Sequence, residues 1–148
     1  MNMRIATLAD LNLIKELRLI MLNEVADSIP DSIGEAIQRY LEKHLNSGAC
    51  LCALMEIENK VVAKAMLCVY EAMPDEMNVS GKYARLFSVY TLPEYRGHGY
   101  MENLLRYLLD KARSIGVEEV FASAEELATP LYQRLGFSFA ANEMSFKF

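Results

Sequence analysis

The run Val89 to Ser123, VYTLPEYRGHGYMENLLRYLLDKARSIGVEEVFAS, constrains the fold more than any other part of the chain, because its hydrophobic period changes twice. The strand-like ARLFSVYTL ends just before Pro93. A helical stripe of Met101, Leu104, Leu105, Leu108, Ala112 and Ile115 follows and stops at Gly116, and VEEVFASA then reads as a second strand. Strand, helix and strand in that order make a crossover whose two strands run parallel. The chain therefore has to build an α/β sheet containing at least one parallel pair.

Arg96-Gly97-His98-Gly99 stands where the first strand gives way to the helix. The first four N–H groups of a helix lack intrahelical acceptors, and the aligned peptide dipoles place about half a positive charge at that end. Glycines there let an anion approach the backbone closely, and an arginine adds a full charge. The same residues also read as a plain connection whose glycines permit a tight turn, and the turn alone leaves both readings open. Two phosphate motifs are excluded. The dinucleotide fingerprint G-x-G-x-x-G has Glu102 where its third glycine belongs, and G-x-x-x-x-G-K-[ST] is absent.

The remaining elements follow from period and punctuation. Arg4 to Ala6 is a short strand, and Thr7 or Asp10 caps a helix carrying Leu11, Ile14, Leu17, Leu19 and Met21. DSIGEAIQRYLEKHLNSG is a second amphipathic helix, capped by Asp31 or Ser32 and terminated by Gly48. ACLCALMEI and VVAKAMLCVY form a hairpin about Glu58-Asn59-Lys60, and EAMPDEMNVSGK is loop. A short helix, TPLYQRL, and a closing pair of strand segments in FSFAANEMSFKF complete a single domain over residues 1–148.

A net charge of -5 and a pI near 5.1 offer no general attraction to nucleic acid or to anionic membrane surfaces, so any bound anion must be held locally. Cys50, Cys52 and Cys68 are odd in number and contain no Cys-x-x-Cys, which points to no disulfide framework and no metal site. The first residues lack the layout of a signal peptide and no apolar run has the length of a membrane span, so a cytoplasmic protein is expected. His44 suits the negative end of its helix, and most of the methionines fill core gaps, with Met73 and Met77 candidates for lining an acceptor pocket.

Two separated motifs resemble one family. Val89-x-x-x-Pro93-x-Tyr95-Arg96-Gly97-His98-Gly99, then a helix and a strand, then Ala128-x-x-Leu131-Tyr132-Gln133-Arg134-Leu135-Gly136-Phe137, resemble the GNAT-type N-acetyltransferase superfamily. The family signature [Q/R]-x-x-G-x-[G/A] reads Arg96-Gly97-His98-Gly99-Tyr100-Met101, with a bulky Met101 at the last position whose side chain is expected to join the helix's apolar stripe. The resemblance implies a mostly antiparallel mixed sheet with a central parallel crossover and flanking helices. It also implies acetyl-CoA as donor, with its pyrophosphate on the amides of Gly97, His98, Gly99, Tyr100, Met101 and Glu102 beside Arg96, and its pantetheine arm along Val89 and Thr91.

The chemistry implied is direct attack on the thioester by the primary amine of a small molecule or peptide. Tyr132 occupies the position of the family's general acid, and Glu125, where the family has asparagine, is the first candidate for base, ahead of Glu126 and Glu71. A strand amide near Val89 or Tyr90 is expected to hold the oxyanion. The first two helices and the loop from Glu71 to Lys82 are expected to choose the acceptor, and their acids suit a cationic one. A homodimer is a further expectation, since relatives pair through strands. The Met101 and Glu125 departures motivate an alternative: a non-catalytic acyl-CoA-binding regulatory or interaction module.

Overall fold

The segments CLCALMEI and KVVAKAMLCVYE bury both faces of their strands, β2 (Cys50–Ile57) and β3 (Lys60–Glu71), which become the middle of the sheet. They meet at Glu58-Asn59, where both residues take positive φ, 49° and 64°. That geometry matches the right-handed twist of a two-residue hairpin and is one an asparagine tolerates well. β1 (Asn2–Ile5) pairs antiparallel with β2, β4 (Lys82–Thr91) antiparallel with β3, and β5 (Glu119–Phe121) parallel with β4. In this computed structural model, which describes residues 1–45, 47–140 and 143–148, the sheet order is β1-β2-β3-β4-β5.

Helices cover both faces. α3 (Tyr100–Ser114) buries Leu104, Leu105, Leu108 and Ala112 against Ala53, Met55, Ala63, Ala65 and Leu67. On the opposite face α1 (Leu11–Val25) and α2 (Ile33–His44) lay Ile14 and Leu41 over Cys50, Cys52, Leu54 and Met66. Fully burying one leucine side chain contributes about 1.5–3 kcal/mol, so the two apolar layers clamp the sheet from either side. No helix among the described residues is long and apolar enough to cross a membrane.

Two expectations about the C-terminal third need correction. The strand read as VEEVFASA shortens to Glu119–Phe121, and neither 137–140 nor 143–148 carries a strand. Phe137 packs on Tyr132 and the core, but Phe139, Met144, Phe146 and Phe148 are exposed, so beyond Phe137 the alternating pattern is not covered by the described residues. A strand without a ladder and a covered face does not persist. As a result the parallel β4–β5 pair lies at one edge of the sheet, with no described strand beyond it.

The loop between β3 and β4 is tighter than its composition suggests. Buried Asn78 closes it, accepting from Gly81 N–H at 2.9 Å and donating from Nδ2 to Lys82 O at 3.1 Å. Gly81 has φ 70°, and a Cβ there would stand 2.2 Å from Ala72 O, so glycine is required. Met73 and Met77 point into solvent and line neither of the two cavities described below.

Candidate active site

The parallel pair is short by design of its register. Tyr83, Ala84 and Arg85 of β4 face Glu119, Val120 and Phe121 of β5, after which β5 ends while β4 continues to Thr91. The outer edge of β4 from Leu86 to Thr91, including Val89 and Thr91, is therefore left without a strand partner on that side among the described residues. Such an edge offers a row of N–H and C=O groups to any extended ligand that carries amides.

This edge runs into the glycine turn. Pro93–Tyr95 make one 3-10 turn, and Gly97 and Gly99 follow with φ 77° and 76°. Gly99 is the N-cap of α3, and a Cβ at either glycine would meet nothing within 4 Å, so the space in front of the turn is open. The first i to i−4 bond of α3 is Asn103 N–H to Gly99 O at 3.2 Å, which leaves the amides of Tyr100, Met101 and Glu102 without helical acceptors. The structure thus presents a nest of donors at a helix N-terminus. Met101 is half-buried and packs into the α3 core stripe, away from those amides.

The flanking side chains are engaged with one another. His98 is exposed, stacks on Tyr100 with ring centroids 5.4 Å apart, and sets Nδ1 3.2 Å from Tyr95 O. Arg96 donates from Nε to Thr91 O at 2.8 Å and from Nη2 to Glu24 Oε2 at 2.9 Å. Glu24 also accepts the Tyr90 hydroxyl. This bond, and then Arg96, hold the Glu24 carboxyl below the usual range, while burial and then Glu24 push the Tyr90 phenol up to about 12. The proton stays on the tyrosine. Glu102 accepts from Arg106 at 2.8 Å and from Arg134 at 3.2 Å, and the second contact ties α4 (Thr129–Leu135) to the first turn of α3.

A β-bulge marks the middle of β4. Lys64 faces Tyr90 and Met66 faces Phe87, so Ser88 and Val89 together oppose Ala65 alone. Ser88 takes φ 52°, and the extra residue shifts the phase of the strand. Before it Leu86 belongs to the α3 face and Phe87 to the α1–α2 face. Beyond it Val89 packs toward α3, and Ser88 and Tyr90 reach Met21 and Glu24 of α1. Lys64, fully buried, donates from Nζ to Ser88 O at 3.0 Å and to Ser88 Oγ, and burial lowers its amine to about 8.

Tyr132 lies on α4, half-buried, with its ring 5.5 Å from that of Phe137. Burial first, and the Glu125 carboxylate second, push its phenol up. The Glu125 side chain is exposed. Helix capping falls instead to its main-chain oxygen, which accepts from Thr129 N–H at 2.9 Å and Thr129 Oγ1 at 2.8 Å. Glu71 pairs with Lys82 at the far end of β4 from Thr91, roughly 30 Å away at ~3.3 Å per residue, which removes it from this centre.

Two cavities adjoin these elements. One of about 560 Å³ runs along β5 and α4, with Phe121, Tyr132, Leu135 and Phe137 in its wall and Glu143 of the C-terminal segment at its margin. The other, about 250 Å³, opens between α1, α2 and the sheet. No residue of the glycine turn lines either one, and the turn instead faces open space.

A model of the acetyltransferase (GNAT) family matches residues 18–137. The chain belongs to the GNAT acetyltransferase family. Solved structures agree in fold. A predicted acetyltransferase from Clostridium acetobutylicum, crystallised with acetyl-CoA, superposes with a TM-score of 0.90 at 24% identity, over 99% of this chain and 95% of that one. A GCN5-related N-acetyltransferase from Ralstonia eutropha gives 0.87 at 23% identity, over 99% and 97%. The glucosamine-6-phosphate N-acetyltransferase of Arabidopsis thaliana gives 0.72 at 18%, over 100% and 99%. No curated protein matches the sequence.

In this GNAT-family chain Val89, Thr91 and Arg96 to Glu102 lie along one continuous edge and turn. Glu24, Lys64 and Ser88 adjoin it without belonging to either sequence motif. Glu24 was hidden because its partners Tyr90 and Arg96 lie far along the chain. Lys64 carried a signal, since it is the one charged residue inside the apolar run VVAKAMLCVY.

Proposed function

We propose that the chain is an N-acetyltransferase that moves an acetyl group from acetyl-CoA to a primary amine by direct attack in a ternary complex. The observation that carries this reading is the free edge of β4 leading into the open amides of residues 97–102. The edge has the hydrogen-bonding pattern to hold the amide-bearing arm of coenzyme A, and the turn has the donors and dipole to hold its pyrophosphate.

The Ser88–Val89 bulge supplies a main-chain N–H released from the β3 ladder, suited to an oxyanion developing at the thioester carbonyl. Tyr132, protonated well past neutral pH because its phenol is raised, donates to the departing thiolate. An alkylammonium of ordinary pKa needs about 4 kcal/mol to reach its neutral form at pH 7. Glu125, whose charge is felt at Tyr132, receives that proton directly or through water.

Met101 bears on the alternative of a binding-only module. With its side chain packed against the α3 core, the departure from glycine or alanine leaves the amides clear for acetyl-CoA, so Met101 gives no reason to prefer the binding-only module. The deciding experiment follows free thiol on mixing the protein with acetyl-CoA and a panel of amines. Thiol release that depends on an amine supports transfer, whereas tight acetyl-CoA binding without release across the panel supports the binding module.

A further inference from the structure

The 250 Å³ cavity is walled by Ile14, Ile37, Tyr40, Met66 and Phe87, with Arg18 as its one charged lining residue. Arg18 is half-buried and meets no carboxylate among the described residues. Its polar contact is Met21 Sδ, 3.7 Å from Nη1. A guanidinium held against apolar walls without an anion is costly, and a bound anion removes that cost. Burial accordingly lowers its pKa.

Through Met21 the charged wall of the cavity adjoins the bulge of β4. Met21 Sδ stands 3.7 Å from Arg18 Nη1 and 4.0 Å from Ser88 Oγ, so one sulfur atom touches both the guanidinium and the bulge. Beside Ser88 sits Lys64, fully buried, its amine bonded among the described residues to Ser88 alone. The acids of the two helices do not balance these cations. Glu16, Glu35 and Glu42 are exposed, and Glu24 is occupied by Tyr90 and Arg96. The cationic acceptor expected from the acids of the sequence therefore does not suit this cavity.

We propose that the acceptor is an amine bearing a carboxylate and an apolar side chain, an aliphatic or aromatic amino acid, with the carboxylate on Arg18 and the side chain in the apolar cavity. This deepens the N-acetyltransferase reading and rests on it. At about 250 Å³ the cavity falls below the ~300–1,000 Å³ of sites for drug-sized ligands, which fits one side chain better than a peptide segment. In the reaction the neutral amine nitrogen bonds to the thioester carbonyl carbon and the carbon–sulfur bond breaks. Of the two protons the ammonium gives up, one ends on the coenzyme A thiol and one in solvent, leaving an N-acetyl amino acid.

The test measures free thiol with acetyl-CoA and matched acceptors: leucine, leucinamide and isoamylamine; phenylalanine, phenylalaninamide and 2-phenylethylamine; and cadaverine as a cationic amine. The free acids are expected to exceed their amides and amines in kcat/KM by at least about tenfold, one lost charge-assisted contact. Arg18→Met should abolish that preference with the KM for acetyl-CoA unchanged, and Arg18→Lys should restore part of it. A thermal-shift series with N-acetyl-leucine and N-acetyl-leucinamide reads the site without turnover. Only the acid is expected to stabilise, and only while Arg18 is present. Preference for cadaverine or the amides, or an acid preference that survives in Arg18→Met, overturns the proposal and leaves acetyl transfer standing. Absence of thiol release with every amine overturns both.

Discussion

Arg96 Nη2 lies 2.9 Å from Glu24 Oε2, so the arginine of the phosphate signature is already paired with helix α1 before any donor arrives. The pair joins the acceptor-side helix to the turn of α3. In the proposed complex Arg96 would offer the pyrophosphate a partly neutralised charge, and the open amides would carry most of the attraction. Replacing Glu24 by Gln should tighten acetyl-CoA binding about threefold at low ionic strength, the scale of one surface charge near a helix N-terminus. Calorimetric titration at low salt and at ~1 M salt checks this, because screening to about 3 Å should erase the difference. Weaker binding in Glu24→Gln would instead show that the carboxylate's role is to position Arg96.

Gly99 separates conformation from charge. Its φ of 76° is costly for a side chain, while a Cβ there meets no neighbour within 4 Å. Gly99→Ala should therefore lose about 1–2 kcal/mol of stability through backbone strain and retain most of its acetyl-CoA affinity. Gly99→Asp, which tolerates that φ better, sets a carboxylate before the amides and should weaken binding by at least about tenfold. Urea melts and titrations of both variants give the comparison. Equal affinities in the two would move the diphosphate elsewhere.

Those amides were legible in the sequence because glycine, arginine and a helical stripe are local signals, as was the hairpin at Glu58-Asn59. What escaped depends on contacts between distant segments. The bulge at Ser88 leaves no mark in ARLFSVYTL, whose alternation reads as unbroken. Only the pairing of Lys64 with Tyr90 and Met66 with Phe87 exposes the extra residue. Conversely, FSFAANEMSFKF alternates as a strand should, yet Phe139, Phe146 and Phe148 are exposed, because alternation states what a segment can bury and not whether a surface is there to receive it.

Tyr132→Phe removes one hydroxyl from a half-buried ring that packs against Phe137, so the fold should persist. If the phenol protonates the thiolate, kcat falls by about 100-fold, the lower end of general-acid effects, while the KM for acetyl-CoA stays within about twofold. In that role the raised phenol would also set the alkaline limb of the wild-type pH profile. An acid whose pKa lies above its ordinary 10 stays protonated through the alkaline range, so activity should not decline before about pH 10. A falling limb that begins near pH 8, or a Phe variant with unchanged kcat, would reassign the acid.

Lys64 gives the protein an unusual alkaline stability profile. Burial lowers its amine from 10.5 to about 8, with Arg18 adding repulsion and Cys52 and Cys50 opposing the shift. Between pH 8 and 10.5 the unfolded chain keeps a proton there that the folded chain has released, so this group adds stability as pH rises. The buried Cys50 and Cys52 thiols, pushed up from 9.0 to about 11 and about 12, act in the opposite sense from about pH 9, where the unfolded thiols ionise first, and Tyr90, raised to about 12, joins them above pH 10. Urea unfolding should therefore show a free energy that rises from pH 7.5 to about pH 9 in the wild type and falls beyond it. Lys64→Met, whose apolar side chain suits the surrounding core and cannot titrate, should lose the rise and show only the fall. A wild-type curve without the rise, or a methionine variant that keeps it, would show that Lys64 holds its charge in the folded state.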